Sequence, residues 1–143
     1  MNSAHSSIIN EGFQRPVPVP TEISEPYWAA CRDGRLTYQR CGICGTAVFP
    51  PQAFCPQELH LALDWQESAG LGSVYSFTIV ERPQTPAFRT PYVVAIVSLD
   101  EGYEMMTNIV DCDPADVRTG MRVRVQFEPV TEELSLPCFR PAE

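Results

Sequence analysis

Three cysteines in the first half of the chain have the spacing of metal ligands. Cys41 and Cys44 form a Cys-x-x-Cys-Gly motif, and Cys55 follows shortly after in a Cys-Pro motif. Thiolates at this spacing are typical of structural zinc sites, in which four ligands surround the metal tetrahedrally. A second Cys-x-x-Cys motif would need a cysteine at position 58, where the chain has Glu58. The sequence therefore predicts a zinc site with three thiolates and an unusual fourth ligand.

Two residues could supply that fourth ligand. Glu58 occupies the position of the missing cysteine, and a carboxylate oxygen can bind zinc. His60 lies slightly further on, and we prefer it because three cysteines with one histidine form a common zinc ligand set. The alternative is that no metal binds and that packing alone holds the segment together. The apolar side chains available for this packing are Leu36, Tyr38, Val48, Phe49 and Phe54.

No arrangement of residues predicts catalysis by this chain alone. The sequence contains no motif for a serine nucleophile, a zinc protease, a phosphate-binding loop or paired catalytic carboxylates. Of the two histidines, His5 lies in a proline-rich arm and His60 belongs to the metal segment. The remaining cysteines are predicted to be reduced thiols that pack as small apolar side chains. They are Cys31, Cys112 and Cys138.

Composition and charge narrow the function classes. The chain of 143 residues has a net charge of −8, with 10 Lys or Arg against 18 Asp or Glu. Nucleic-acid binding needs a basic surface to neutralise phosphates, so this composition argues against it. No apolar stretch approaches the roughly 20 residues of a membrane span, and the N-terminus lacks the pattern of a signal peptide. We therefore expect a cytoplasmic protein that binds neither nucleic acid nor membrane.

The metal segment lies between a short helix and a run of strands. Residues 1–20 are predicted to form a flexible, proline-rich arm. Residues 21–34 are predicted to form a helix with Ser24 as N-cap and Gly34 as C-cap. Residues 35–64 alternate strands with cysteine motifs, as a rubredoxin-like zinc ribbon does.

Residues 65–143 are predicted to be β-structure apart from one helical turn that begins at Asp113. The predicted strands cover residues 72–81, 92–99, 104–110, 122–128 and 133–136. In the first of them, alternation puts four side chains on one side, namely Val74, Ser76, Thr78 and Val80. The second is apolar nearly throughout and should be buried on both faces. Five short strands with this helical turn indicate a five-stranded OB-type barrel, so the predicted fold class is mainly β.

Taken in order along the chain, these motifs resemble the DUF35 family. The resemblance covers about residues 22–141. The motifs that carry it are Tyr27-Trp28, Cys41-x-x-Cys44-Gly, Phe49-Pro-Pro, Cys55-Pro, Gly72-Ser-Val-Tyr-Ser-Phe-Thr, Pro91-Tyr-Val-Val-Ala, Asp113-Pro-Ala-Asp116-Val, Gly120-Met-Arg-Val and Pro137-Cys-Phe139. Members of this family combine an N-terminal helix, a rubredoxin-like zinc ribbon and a C-terminal OB-fold.

The resemblance implies a function that composition alone does not give. Members of the family bind enzymes of the thiolase superfamily that act on acyl-CoA, including thiolases, acyltransferases and lipid-transfer-protein-like aldolases of steroid degradation. We therefore expect a non-catalytic accessory subunit, in an α2β2 heterotetramer, that stabilises the complex and shapes the acyl-CoA channel. The alternative is a free-standing OB-fold module that binds acyl-CoA or single-stranded nucleic acid, although the negative charge disfavours the latter.

Five residues are candidates for contact with the partner or with coenzyme A. Tyr27 and Trp28 belong to a short helix that cannot bury both rings by itself. The loop over residues 82–90 is long for a compact domain, and long loops often serve function. Its Phe88 ring is predicted to be exposed, and Arg82 and Arg89 could meet an acidic partner surface or a phosphate of coenzyme A. These five residues and the metal ligands are the candidate sites.

Overall fold

A small three-stranded sheet and a closed five-stranded barrel account for most of the regular structure. The computed structural model describes residues 8–57, 59 and 61–142. Over these residues one α-helix precedes both sheets. The mainly β fold class is therefore confirmed, with the helix, the ribbon and the barrel in the predicted order.

The helix α1 spans Glu25–Arg32 and buries Tyr27, Ala30 and Cys31. Ser24 stands at the N-cap as predicted, but its side chain makes no capping bond to the helix. The Ser24 hydroxyl is instead held by Thr21, whose backbone N–H donates to Ser24 Oγ at 2.9 Å. The helix ends at Arg32 with Asp33 at the C-cap, one residue before the predicted Gly34, which follows with a φ of +80°, a conformation that glycine adopts without steric cost.

The zinc-ribbon segment is built on a three-stranded antiparallel sheet. Its strands are β1 (Thr37–Cys41), β2 (Ala47–Val48) and β3 (Leu63–Glu67), in the order β2-β1-β3. The predicted boundary between the ribbon and the barrel, between residues 64 and 65, falls inside β3. The pairing of β3 along the whole of β1 places this strand in the ribbon sheet.

Five further strands close into a barrel. They are β4 (Leu71–Val80), β5 (Tyr92–Leu99), β6 (Glu104–Ile109), β7 (Arg122–Pro129) and β8 (Ser135–Pro141). The strand order is β4-β5-β6-β8-β7, and β7 pairs with β4 to complete the circle. The 3₁₀ turn Pro114–Asp116 lies between β6 and β7, with the Asp113 carboxylate accepting from the backbone N–H of Ala115 at 3.0 Å. The five-stranded barrel and its capped turn are both confirmed.

The predicted sidedness of the first barrel strand is wrong. A β-bulge between Val74 and Ser76 shifts the register of β4 against β5. One extra residue reverses the inward and outward positions that follow it, since successive side chains of a strand alternate between faces. Val74 is buried, but Ser76 and Thr78 are exposed, and Phe77 packs against the core in their place.

The last strand is longer than predicted. The sequence pattern indicates a strand over 133–136, whereas β8 continues to Pro141 and pairs with β7 from Ser135 to Pro141. β8 also lies parallel to β6, where Ile109 and Phe139 are paired. The Phe139 side chain is completely buried, so the final strand completes the core of the barrel.

A run of aromatic rings joins the helix, the ribbon and the barrel. The Tyr38 ring of β1 stacks on Tyr103 at 4.9 Å between centroids, and Phe49 stacks on the same Tyr103 ring at 5.3 Å. Tyr27 then meets Phe49 edge-on at 5.5 Å and Trp28 at 5.0 Å. Aromatic pairs in these geometries add about 0.5–1.5 kcal/mol each beyond the area they bury. The ribbon is therefore held in a defined position against the barrel.

The predicted flexible arm is, over residues 8–10, laid on the chain's own barrel. Ile9 forms an antiparallel bridge with Phe88. The backbone N–H of Arg89 donates to the Ile8 carbonyl at 2.8 Å, and that of Asn10 donates to the Ala87 carbonyl at 2.7 Å. Ile8 is buried in a second small apolar cluster. This part of the arm therefore fixes the long loop between β4 and β5.

Candidate functional site

The three predicted thiol ligands converge at the end of the ribbon. The sulfur atoms of Cys41, Cys44 and Cys55 all lie within 4.8 Å of one another. The Sγ atoms of Cys44 and Cys55 are 3.6 Å apart. Zinc–sulfur bonds of 2.3 Å in a tetrahedral site put neighbouring sulfurs about 3.8 Å apart. The cluster therefore has the dimensions of a zinc site.

Local backbone geometry holds the first thiol in place. The backbone N–H groups of Ile43 and Cys44 point to Cys41 Sγ, at 3.4 and 3.5 Å. Cys41 and Cys55 are buried, whereas Cys44 is exposed. Hydrogen bonding with Thr46, whose Oγ1 lies 3.1 Å from Cys44 Sγ, lowers the pKa of the Cys44 thiol to about 7. A lowered pKa favours the thiolate, which is the form that binds metal.

The two cysteine motifs share one backbone geometry. In the first, the N–H of Gly45 donates to the Cys41 carbonyl at 2.9 Å, and Gly45 has a φ of +78°. In the second, the N–H of Leu59 donates to the Cys55 carbonyl at 2.7 Å, and Leu59 has a φ of +59°. The second motif therefore keeps the turn of the first, although it has leucine where the first has glycine.

Both predicted candidates for the fourth ligand lie outside the described residues. The two candidates, Glu58 and His60, both fall at positions for which the structure gives no placement. In the register of the repeated turn, position 58 corresponds to Cys44, since each directly precedes the residue with positive φ. The choice between the two ligands stays a prediction.

The other three cysteines do not belong to the metal cluster. Cys31 and Cys138 are buried, and burial raises their pKa values to about 11 and about 12. For Cys112, burial and then the carboxylates that surround it raise the pKa above its ordinary value. All three are free thiols, in agreement with the prediction that they pack as small apolar side chains.

The packing predicted for the ribbon is mostly present. Leu36, Tyr38 and Val48 are buried, and Phe49 packs against the core. Phe54 is the exception, because 47% of its surface is exposed. Its position beside Cys55 places it at the tip of the ribbon, outside the core to which Leu36, Tyr38 and Phe49 belong.

The five predicted contact residues fall in two places. Tyr27 is buried in the aromatic run, and Trp28 is half-buried beside it. In the loop, Arg82 and Arg89 are exposed. The prediction that Phe88 is exposed is wrong, because its ring is half-buried and stacks on Tyr92 at 5.5 Å. The arm, which the sequence pattern did not connect with this loop, covers part of it.

Two structural contacts were missed by the sequence interpretation. The Glu101 carboxylate accepts from Ser68 Oγ and from the Ala69 N–H, both at 2.7 Å, and so ties the end of β3 to the turn between β5 and β6. Arg15 of the arm pairs with Glu128 of β7 at 3.5 Å, beside a cavity of about 470 Å³ that Arg89 also lines. Both contacts link residues far apart in sequence, so no local pattern could indicate them.

Two family models cover most of the chain. The model of the ChsH2 rubredoxin-like zinc ribbon domain matches residues 28–57, and that of the ChsH2 C-terminal OB-fold domain matches residues 65–128. A DUF35 domain-containing scaffold protein of Methanothermobacter thermautotrophicus is 38% identical over 101 residues, which cover 68% of this chain and 75% of that protein. The chain belongs to the DUF35 family.

Two further relatives of this DUF35 chain carry enzyme names. A probable enoyl-CoA hydratase alpha subunit of Thermomonospora curvata is 40% identical over 128 residues, covering 90% of this chain. The DUF35 chain spans 40% of the length of that subunit. Among solved structures, the Ltp2-ChsH2(DUF35) aldolase contains a chain that matches with a TM-score of 0.81 and 38% identity, covering 89% of this chain and 100% of that one.

The family assignment and the geometry agree on the metal. The zinc-ribbon model spans all three cysteines, and their sulfurs have the separations of a tetrahedral site. Zinc is therefore the metal that this DUF35 ribbon is built to hold. Bound there, it would join the two turns through Cys41, Cys44 and Cys55, and it would serve a structural purpose. No helix among the described residues is long and apolar enough to span a membrane.

Proposed function

We propose that this chain is a non-catalytic accessory subunit of a thiolase-superfamily enzyme that acts on acyl-CoA. The observation that carries the proposal is the full-length structural match to a chain solved as part of the Ltp2-ChsH2(DUF35) aldolase. The match covers the whole of that chain, so a unit of this size and shape is present in an enzyme whose name joins it to a second component. The complex would make or break a carbon–carbon bond of a CoA thioester.

The chemistry of the described residues supports a role without catalysis. The pKa values of Cys31, Cys112 and Cys138 are all raised. A thiol with a raised pKa is a poor nucleophile at neutral pH. The three cysteines with matched spacing are placed to hold zinc. In this proposal the partner subunit supplies the acid, the base and the nucleophile of the reaction.

The long loop is the part of this chain that we assign to the acyl-CoA channel. Arg82 and Arg89 are exposed, and Arg89 lines the cavity between the arm and β7. Because the arm pairs with residues 87–89, the loop has a defined backbone rather than a free one. A guanidinium on a fixed loop can bind a phosphate of coenzyme A at less entropic cost than one on a mobile loop. Tyr27 and Trp28 would act through the helix, which positions the ribbon.

The proposed assembly is an α2β2 heterotetramer in the cytoplasm. Relatives described as an alpha subunit and as a scaffold protein support a chain that works within a larger complex. The alternative, a free-standing module that binds single-stranded nucleic acid, would need a positively charged groove. The net charge of −8 therefore favours a protein partner.

Co-expression tests the proposal directly. The chain should be produced alone and together with a thiolase-superfamily protein of the same genome, and each preparation should be examined by size-exclusion chromatography with light scattering. We expect a stable complex of the two proteins and CoA-thioester cleavage or condensation by the complex only. A chain that is monodisperse alone, ignores this protein and binds an oligonucleotide at physiological salt would refute the proposal.

A further inference from the structure

The tip of the ribbon carries an unusual concentration of exposed apolar side chains. Four large ones lie there, namely Ile43, Phe54, Leu59 and Leu61, with exposures of 65%, 47%, 72% and 80%. We call these four residues the ribbon-tip patch. Single exposed apolar residues are ordinary on protein surfaces, but groups of them mark interaction sites.

The thiol cluster brings the four residues of the patch together. Ile43 and Phe54 directly precede Cys44 and Cys55, whose sulfurs are 3.6 Å apart. The Leu59 N–H donates to the Cys55 carbonyl. Leu61 directly precedes Ala62, whose carbonyl accepts from the backbone N–H of the residue before Ile43 at 2.8 Å. Both cysteine motifs and the segment that follows them therefore present their apolar side chains around one small centre.

Charged residues are sparse in the sequence around the patch, and two charged side chains from the flanking strands lie near it: the Arg40 guanidinium donates to the Gly45 carbonyl at 2.8 Å, and the Asp64 carboxylate lies beside Gly42. From residue 41 to residue 63 the sequence contains a single charged residue, Glu58, whereas 20% of the whole chain is charged. Depletion of charge around apolar side chains is the compositional sign of the buried centre of an interface. A surface that only needed to stay in water would gain from charges here.

The backbone conformation of Leu59 is an independent indication that the patch is an interaction surface. Its φ of +59° is the left-handed conformation, which costs an L-residue about 1–2 kcal/mol and which Gly45 adopts freely at the same place in the first motif. Leu59 is thus strained and 72% exposed, so its side chain brings little benefit to the isolated chain. Strained residues that persist are found where function requires them.

We infer that the ribbon-tip patch is the surface on which the partner subunit docks, through an apolar and uncharged surface of its own. This inference rests on the proposed function and adds to it the site of contact. We expect a different protein, rather than a second copy of this chain, to bind at the patch, since the relatives are named as a subunit and as a scaffold protein. Docking there would also cover the exposed thiol Cys44 and so shield the metal from solvent.

Binding measurements with paired variants test the inference. The probe is a thiolase-superfamily protein of the same genome, and affinity is measured for the wild type, Leu61→Asp and Ile43→Ser. Placing a charge or a polar group in the centre of an interface should weaken binding by about 100-fold. Met106→Asp is the matched control, because Met106 is 70% exposed on barrel strand β6 and lies outside the patch. It should bind as the wild type does, and all variants should keep their zinc content and melting temperature.

Three results would overturn the inference, each in a different way. If the wild type binds and Leu61→Asp binds equally well, the partner docks elsewhere and the proposed function still stands. If the wild type does not bind the probe at all, the proposed function itself fails and takes this inference with it. If the free chain self-associates and Leu61→Asp abolishes only that self-association, the occupant of the patch is a second copy.

Discussion

The strain at Leu59 makes a quantitative prediction for two substitutions that both remove its side chain. Leu59→Gly and Leu59→Ala lose the same contacts beyond Cβ, but only glycine relieves the left-handed backbone at φ +59°. Relief is worth about 1–2 kcal/mol, and the greater freedom of glycine in the unfolded chain offsets roughly 0.5–1 kcal/mol of it. Leu59→Gly should therefore be the more stable of the two by about 0.8 kcal/mol.

Amide hydrogen exchange in the ribbon can measure the difference in stability between Leu59→Gly and Leu59→Ala. Exchange of an amide within the ribbon, such as that of Gly45, reports local stability more directly than global unfolding does, because proteins open locally as well as globally. A difference of about 0.8 kcal/mol corresponds to about fourfold slower exchange in Leu59→Gly than in Leu59→Ala, because RT is about 0.6 kcal/mol. Equal exchange in the two variants, or slower exchange in Leu59→Ala, would show that the backbone at residue 59 is not strained.

The first cysteine motif supplies the reciprocal control. Gly45 has a φ of +78°, and a Cβ placed there meets nothing within 4 Å. Gly45→Ala therefore adds strain without a clash and should destabilise the ribbon by about the amount that separates the two Leu59 variants. Both Leu59 variants should nevertheless bind the partner equally weakly, since neither carries the side chain of the patch. Stability and binding would then change independently at one position.

Three other predictions concern the metal, the core and the junction between the two sheets. Elemental analysis should find one zinc per chain that Cys41→Ser removes. His60→Ala should weaken zinc binding more than Glu58→Gln, because three cysteines with one histidine form a common zinc ligand set; the reverse order in a chelator competition would assign the site to the carboxylate at position 58. Phe139→Ala should lower the free energy of unfolding by about 3–5 kcal/mol in urea, as its side chain is fully buried, and a loss below about 1 kcal/mol would contradict its place in the core. Glu101→Gln should cost about 1 kcal/mol by the same assay, since it weakens two hydrogen bonds of 2.7 Å to a charged acceptor; an unchanged midpoint would mean that the carboxylate contributes nothing to the junction.

The barrel could be predicted because each strand signals its own position locally. Polar and apolar residues alternate in β7, as in a strand with one buried face, and β5 is apolar almost throughout, as in a strand with two buried faces. Both patterns can be recognised from residue type alone. The bulge at Tyr75 could not be read in this way. It contains no glycine or proline, and its effect is felt only through pairing with a strand some twenty residues away. Sidedness after Val74 was therefore predicted for a regular strand that does not exist.

The extent of β8 was missed for a different reason. Pro137 and Pro141 lie within it, and proline normally argues against a strand because it lacks an N–H. The strand tolerates them because it meets β6 at a single paired position, Ile109 with Phe139, which leaves most of that side free of ladder bonds. The three thiol ligands, by contrast, could be predicted without knowledge of the fold, since the spacing of the cysteines in the sequence is that of metal ligands.

The place of β8 in the barrel has a consequence for how this protein is made. β8 lies between β6 and β7, yet it is the last of the five strands to be synthesised. While residues 135–141 are still inside the ribosome, the helix and the ribbon can fold, but the barrel has a gap and its interior is open to water. Closure of the barrel must therefore wait until β8 has left the ribosome, whereas the earlier elements can form as they emerge, since strand pairing takes microseconds and synthesis adds about 5–20 residues per second. A chain that ends shortly before Ser135 would lack β8 and leave the barrel open, and such a product is a natural substrate for chaperones and proteases.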